Sequence, residues 1–392
     1  MTHDQTLRAA LAAKGLRYVG TKGNLAAPIC YVGEAPGADE DQAGIPFIGA
    51  SGRELDRMLD ESGLGTVNCW WTNPFKARPP DNKLDRLSEL GVDRQLFLNQ
   101  FFEELNAHKP TFICPLGGTP LGILCPFTLS KRTGNAEISK WRGSLLRSEL
   151  LAWPHYILPN FHPAFLFRAW EERAVALLIF GKLKEEFDWW KTHSNQLQPL
   201  PERELIADPP ADTAIDFLRK LIAERKIVSV DIENIGIYKG KYKQPERNRV
   251  PYVIGFSNDP AIGISVGFAE YEKPKIQEVW KLIDQVLQGP CVGQYGYGHD
   301  LPWLEFIGLT PNWSLYEDTK ILHHVLFPEL SHKLEFLTMC YTREPFYKNE
   351  GQNWSVKERQ KLKKYNVKDV CVTLECYDAM KKEIEQRCDI RP

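Results

Sequence analysis

Ile227-Val-Ser-Val-Asp-Ile-Glu233 is the stretch whose reading decides the second half of the chain. In an extended strand side chains alternate between faces, so Val228, Val230 and Ile232 share one face, and Asp231 and Glu233 share the other. Two carboxylates held side by side repel, and one takes up a proton unless a cation lies between them. A divalent ion is the simplest remedy, because hard cations take oxygen ligands. Further carboxylates are therefore expected. One candidate is Asp300, which closes Gly293-Gln-Tyr-Gly-Tyr-Gly-His-Asp300 after the short run Cys291-Val292. The other is Asp369 in Tyr365-Asn-Val-Lys-Asp369. Ser355 and Glu358 have the form of a capping box that opens a helix, and on that helix Tyr365 and Asp369 fall on one face. A single Asp is usually a solvated residue or a cap. A D-x-E strand, an Asp beyond a strand end and a helical Y-x-x-x-D in one chain are harder to assign to chance.

A chain of 392 residues is too long for one ordinary core and points to two domains or more. It is 43% hydrophobic and 26% charged, as expected of a globular protein. The polar start Met-Thr-His-Asp-Gln does not read as a signal peptide, and no apolar run approaches a membrane span. A net charge of −2 neither announces nor excludes a nucleic-acid partner, since local basic patches decide that. The nine cysteines form no CxxC pair and are odd in number, so reduced thiols in an intracellular compartment, cytoplasm or nucleoid, are expected.

Short apolar strands at 29–32, 69–72, 111–114 and 156–158 alternate with helical stretches at 53–61, 95–108 and 171–190. That order predicts an α/β layered domain over residues 1–195 with a mostly parallel sheet. Residues 193–212 are rich in Pro and polar side chains, so a linker with some extended structure is placed at 196–212. A second α/β domain, 213–392, is strand-rich at 227–233, 250–257 and 261–267, then helical at 275–287, 317–326 and 355–386.

In the first domain Tyr31-Val-Gly-Glu-Ala-Pro-Gly-Ala-Asp-Glu-Asp-Gln-Ala-Gly-Ile-Pro-Phe-Ile-Gly49 links a strand to a helix near Ser51. Its glycines permit close backbone approach to a ligand, and it also carries Glu34, Asp39, Glu40, Asp41 and Phe47. Thr72-Asn73-Pro-Phe-Lys-Ala-Arg-Pro-Pro80 and Asn160-Phe-His162-Pro-Ala-Phe-Leu-Phe-Arg168 follow two further strands. A lone Asn or His is more often a structural hydrogen-bonder. Three polar strand ends, where parallel sheets bind ligands, shift that balance.

These motifs, with the Gly-Gly at 117–118 and Arg142-Gly143, resemble family-4 uracil-DNA glycosylases over most of residues 27–185. The resemblance implies a sheet-centred fold that flips uracil out of DNA. Phe47 would stack on the base and Asn73 would read its polar edge. His162 would lie near O2, and Glu34, or Glu40 with Asp41, would hold the attacking water or stabilise the sugar cation. Lys76 and Arg78, in the second motif, are expected to contact DNA. Unstacking a base costs a few kcal/mol, which a shaped pocket must recover. The family usually carries a four-cysteine iron–sulfur cluster with one ligand in a K-C-RPP motif. Here that position is Ala77, and Met1–Pro28 contains no cysteine. Ligation needs clustered thiolates, so no cluster is expected.

The carboxylate constellation of the second domain resembles the DEDD 3′–5′ exonucleases, in the tyrosine-containing branch, and its helical tail resembles the exonuclease domain of family A DNA polymerases. The resemblance spans roughly 205–388 and implies a ribonuclease H-like fold. It implies two divalent ions, Mg or Mn, held by Asp231, Glu233, Asp300 and Asp369, with Tyr365 orienting the water. The family often has Asn four residues before the Asp of the second motif; here that place is Gly296. Asp318 is read as structural. Tyr238-Lys239-Gly-Lys241-Tyr-Lys243 interleaves basic and aromatic residues, which suits single-stranded nucleic acid, with a solvated loop as the plain alternative. Lys361, Lys363, Lys364 and Lys368 are open to the same two readings. The expected partner is DNA, single-stranded or at 3′ ends and uracil-containing in one reading, without a membrane. Two readings stay open: a bifunctional enzyme, and an exonuclease subunit working with a family A-type polymerase, whose first domain only binds DNA or a partner.

Overall fold

The computed structural model describes residues 2–234, 251–267, 271–351 and 359–389, and they form two compact units, Met1–Pro199 and Leu200–Pro392. Each is a mixed α/β layer structure, the class expected.

In the first unit the strands are β1 (Lys22–Gly23), β2 (Ile29–Val32), β3 (Cys69–Thr72), β4 (Phe112–Pro115) and β5 (Tyr156–Ile157), in sheet order β1-β3-β2-β4-β5. Every residue of β2, β3 and β4 is buried. Covered on both faces, these strands read as unbroken apolar runs rather than as alternating ones. Only β1 runs antiparallel, so β2 to β5 all end at the same edge. Val32 lies opposite both Thr72 and Pro115, which brings Gly33, Asn73 and Leu116 together beyond the strand ends. A bridge between Leu116 and Asn160 adds the segment that leads to His162. A parallel sheet thus collects three motifs from distant parts of the chain.

The second unit has β6 (Glu204–Ile206), β7 (Val228–Asn234), β8 (Pro251–Asp259), β9 (Ile262–Gly267), β10 (Cys291–Gly293) and β11 (Tyr316–Asp318), ordered β11-β10-β7-β8-β9-β6. An antiparallel meander β7–β8–β9 is extended on the β7 side by β10 and β11, both parallel. This is the ribonuclease H-like strand arrangement. Val228, Val230 and Ile232 enter the core with Ile254, Phe256, Ile264 and Val266. The helix Arg359–Asp389 packs against the sheet where Gly255 leaves room: a Cβ there would lie 2.6 Å from Asn366 Oδ1.

One expectation from the sequence changes. Residues 317–326 are not all helical: Tyr316–Asp318 is an edge strand, and the helix is Thr319–Leu326, capped by the Asp318 carboxylate, which accepts from the Lys320 amide at 2.9 Å. Three residues carry too little pattern to declare a strand, and pairing with β10 decides it. Within the stretch expected to be a linker with some extended structure, Glu204–Ile206 pairs in parallel with β9, and Ala211 begins a helix just after Pro209-Pro210. The basic run Lys239, Lys241 and Lys243 and the pair Ser355 and Glu358 lie outside the described residues. Among the described residues no helix is long and apolar enough to cross a membrane.

Candidate active sites

A cavity of about 730 Å³ lies at the strand ends of the first unit. Glu34, Glu40, Phe47, Asn73, His162 and Arg168 line it, with the backbone of Gly117 and Gly118. The ring of Phe47 and the amide of Asn73 meet over Gly33, where an added Cβ would collide with both. Phe47 has φ of 55°. A bulky residue in that left-handed region costs on the order of 1–3 kcal/mol, which the surrounding structure must hold in place. Gly52 permits this turn, since a Cβ there would strike the Phe47 carbonyl.

His162 caps the short helix Pro163–Leu166: its Nδ1 accepts from the Ala164 amide at 3.1 Å. The neutral ring therefore carries its proton on Nε2. Burial, with a smaller contribution from Arg168, lowers its pKa to about 4, so the ring is neutral near pH 7. Glu40 does not stand free. One of its oxygens accepts from the Gly37 amide at 3.0 Å and the other from the Gly49 amide at 3.1 Å, which ties the two ends of the acidic loop together. Among the described residues the half-buried Glu34 carboxylate has no such tie, and its backbone carbonyl accepts from Phe75 N at 3.3 Å.

Lys76, expected to contact DNA, is a correction. Its side chain is fully buried, and its Nζ bonds Thr72 Oγ1 at 2.5 Å and the Glu104 oxygens at 3.0 and 2.9 Å. Position in a motif does not show which way a side chain turns, and this ammonium turns inward to Thr72 and Glu104. Arg78 stays partly exposed, donating to Asn82 Oδ1 at 2.7 Å, and Asn82 lines the cavity. Ala77 is 1% exposed and packs with Leu7, Leu11, Phe75, Leu87, Val92 and Phe97. No cysteine belongs to that described group, so the residues here do not fit a thiolate-held cluster.

In the second unit Asp231, Glu233 and Asp369 each place a carboxylate oxygen within 4.8 Å of the others. β7 supplies the first two on the face opposite its core residues, and the long C-terminal helix lays Asp369 against them. Asp300 is not in that tightest group. It begins the helix Asp300–Phe306, is 2% exposed, and its Oδ1 pairs with His299 Nδ1 at 2.8 Å. It is still close enough to act on its neighbours. Burial and then the charges of Glu233, Asp300 and Asp369 push the Asp231 carboxyl well above the usual range. Burial and Asp369 push Glu233 up to about 8, and burial raises Asp300 against the pull of His299. Such carboxyls are poised for a cation. Asp300 Oδ2 and Asp369 Oδ1 are buried with no hydrogen-bond partner among the described residues, and the donors are all oxygen, so the set fits hard divalent ions.

Three supporting residues escape a reading of the sequence. Asn366 Nδ2 donates to Asp231 Oδ2 at 2.8 Å, and its own oxygen accepts from Ser265 Oγ at 2.8 Å. Lys348 Nζ reaches Asp369 Oδ2 at 2.6 Å and Tyr365 Oη at 2.9 Å. His299 is the third. Asn366 adjoins Tyr365 and His299 adjoins Asp300, so adjacency to a motif was the available signal; nothing local marks Lys348. At Gly296 the Tyr316 hydroxyl fills the space, and a Cβ would collide with it, so an Asn there would require the Tyr316 ring to move. Lys363 bonds Asp208, and Lys368 pairs with Glu350 at 3.2 Å, so both are engaged within the fold.

The sheet-edge pocket thus gathers an aromatic ring, an amide and a neutral histidine. The profile of the uracil DNA glycosylase superfamily matches residues 21–187. Type-4 uracil-DNA glycosylase from Thermotoga maritima is 35% identical over 147 residues, which are 38% of this chain and 70% of that protein. That from Archaeoglobus fulgidus is 33% identical over 172 residues, 44% of this chain and 77% of that protein. The chain belongs to the uracil DNA glycosylase superfamily. Among solved structures it is similar to the Aedes aegypti Nibbler EXO domain (16% identity, TM-score 0.34, 45% of this chain and 86% of that one). It is also similar to the EXD2 exonuclease domain (14% identity, TM-score 0.21, 46% and 90%).

Proposed function

We propose that the chain processes DNA at two sites. The second unit hydrolyses the strand from its 3′ end, and the first recognises uracil and releases it. The observation that carries the nuclease reading is the grouping of Asp231, Glu233 and Asp369 beside Asp300, with buried oxygens left unpaired. Asp231, Glu233, Asp300 and Asp369 would hold a pair of Mg or Mn ions. Bound there, the ions would supply an activated water and neutralise charge on the leaving 3′ oxygen. Asn366 fixes the rotamer of Asp231, and His299 does the same for Asp300. Tyr365, one turn from Asp369, holds the attacking water with its hydroxyl.

In the first unit Phe47 stacks on the flipped base and Asn73 pairs with its polar edge. The Nε2–H of neutral His162 donates to O2 as charge builds there while the N-glycosidic bond breaks. Of the two candidates for the water, Glu34 is favoured, because the Glu40 oxygens already accept from two loop amides. The type-4 relatives are named for uracil-DNA glycosylase activity, which supports this reading.

The test is a single-stranded oligonucleotide with one internal uracil. Asp231→Ala is expected to abolish 3′ shortening and leave uracil release intact, and Asn73→Ala to do the reverse. Equal loss of both activities in either variant would contradict separate sites. Retained binding that Asn73→Ala weakens, with no abasic product, would make the first unit a binding module. Co-purification of the chain with a family A-type polymerase would add the proofreading role.

A further inference from the structure

Lys348 is not part of any motif, yet its ammonium lies inside the carboxylate group. Its side chain is 16% exposed and sits against the rings of Tyr347 and Tyr365, 5.1 and 4.8 Å from their centres. It donates to Asp369 Oδ2 and to Tyr365 Oη. One cation therefore joins the carboxylate and the hydroxyl that the proposed reaction uses together. A flexible lysine stem costs rotamer entropy to hold still, and here three partners hold it.

We infer that Lys348 is a positioning residue of the second site: it is the resting counter-ion of Asp369, and it anchors the hydroxyl of Tyr365. This rests on the metal-nuclease reading above. Two consequences follow from charge and geometry. An ammonium on Asp369 competes with any divalent ion for that carboxylate, because like charges this close repel. It also fixes where the Tyr365 hydroxyl stands, as outer-shell partners of metal ligands do, and losing such a partner changes affinity or rate by about 10- to 100-fold. Removing the ammonium therefore moves two readouts in opposite directions: the ion binds more tightly, and turnover falls. A lesion that merely loosened the fold would weaken both.

The experiment uses the full chain as wild type, Lys348→Met, Lys348→Arg, Tyr365→Phe and the Lys348→Met/Tyr365→Phe pair. Mn binding is read by calorimetry or by the loss of free-Mn spin resonance, and turnover by 3′ shortening at saturating Mn. Lys348→Met is expected to bind Mn at lower concentration and to turn over about 10- to 100-fold more slowly. Lys348→Arg is expected to keep the wild-type Mn midpoint, because it keeps the charge. The double variant is expected to be no slower than Tyr365→Phe alone. Unchanged or weaker Mn binding by Lys348→Met, or additive slowing in the double variant, would overturn the assignment. If the wild type binds Mn but shortens no 3′ end, the nuclease reading fails, and the Mn isotherms still decide what Lys348 does to Asp369.

Discussion

Lys76 is buried with Glu104 as its counter-ion, and the fate of that pair separates a structural lysine from a DNA contact. Removing one partner of a buried ion pair strands the other charge and costs about 3–5 kcal/mol. Lys76→Ala is expected to lower the unfolding free energy of the first unit by that order in denaturant titrations. The salt dependence of DNA binding should stay the same, whereas loss of a phosphate contact would flatten it. His162 gives a pH prediction. Its folded pKa, about 4, lies below the value near 6.5 of an unfolded histidine. The neutral form is thus favoured in the fold: its contribution to stability is complete above about pH 6.5 and is lost as the pH falls toward 4. Uracil release should accordingly lack an inflection near pH 6.5 that His162→Gln removes. Such an inflection would show that the ring titrates as an exposed histidine does. Asn73, His162 and Phe47 were legible at this scale because specific residue types stood at strand ends. The inward turn of Lys76 and the loop tie made by Glu40 were not, because both depend on rotamers and on backbone amides brought close by the fold.

At the scale of elements, β7 and the C-terminal helix make the second site together. The alternation of Val228, Val230 and Ile232 with Asp231 and Glu233 announced both the strand and its acidic face. The four-residue step from Tyr365 to Asp369 placed those two on one helical face. Neither pattern could show that Gly255 lets the helix come near, or that Asn366 reaches back to Asp231. Gly255→Ala would push its Cβ against the Asn366 amide. Overpacking of this kind costs typically 1–3 kcal/mol, and the expected result is a lower melting temperature together with weaker Mn binding. The raised carboxyls of Asp231, Glu233 and Asp300 carry a pH consequence too. In metal-free protein, folding favours their protonated forms. Their contribution is complete below the unfolded values near 4 and is lost as the pH rises, for Glu233 through about 8. Mn must displace those protons. Its stabilising effect on melting temperature is therefore expected to be larger at pH 8.5 than at pH 6.5, and the reverse order would argue against ligation by this group. The short strand at 316–318 was illegible because it owes its existence to its neighbour β10 rather than to its own residues.

For the whole molecule, the cavity is lined by residues of the unit 1–199 and the carboxylates belong to the unit 200–392. Calorimetry is expected to show Mn moving the unfolding of the second unit and leaving that of the first unmoved. In the proposed function the second unit's carboxylates cage ions that cut DNA from the 3′ end. This is tested most directly on a 5′-labelled single strand bearing one uracil, incubated with Mg or EDTA, with wild type and Asp231→Asn. A ladder of 3′-shortened products that needs Mg and vanishes in Asp231→Asn is the predicted result. A ladder that survives EDTA, or that Asp231→Asn still produces at the wild-type rate, would contradict it.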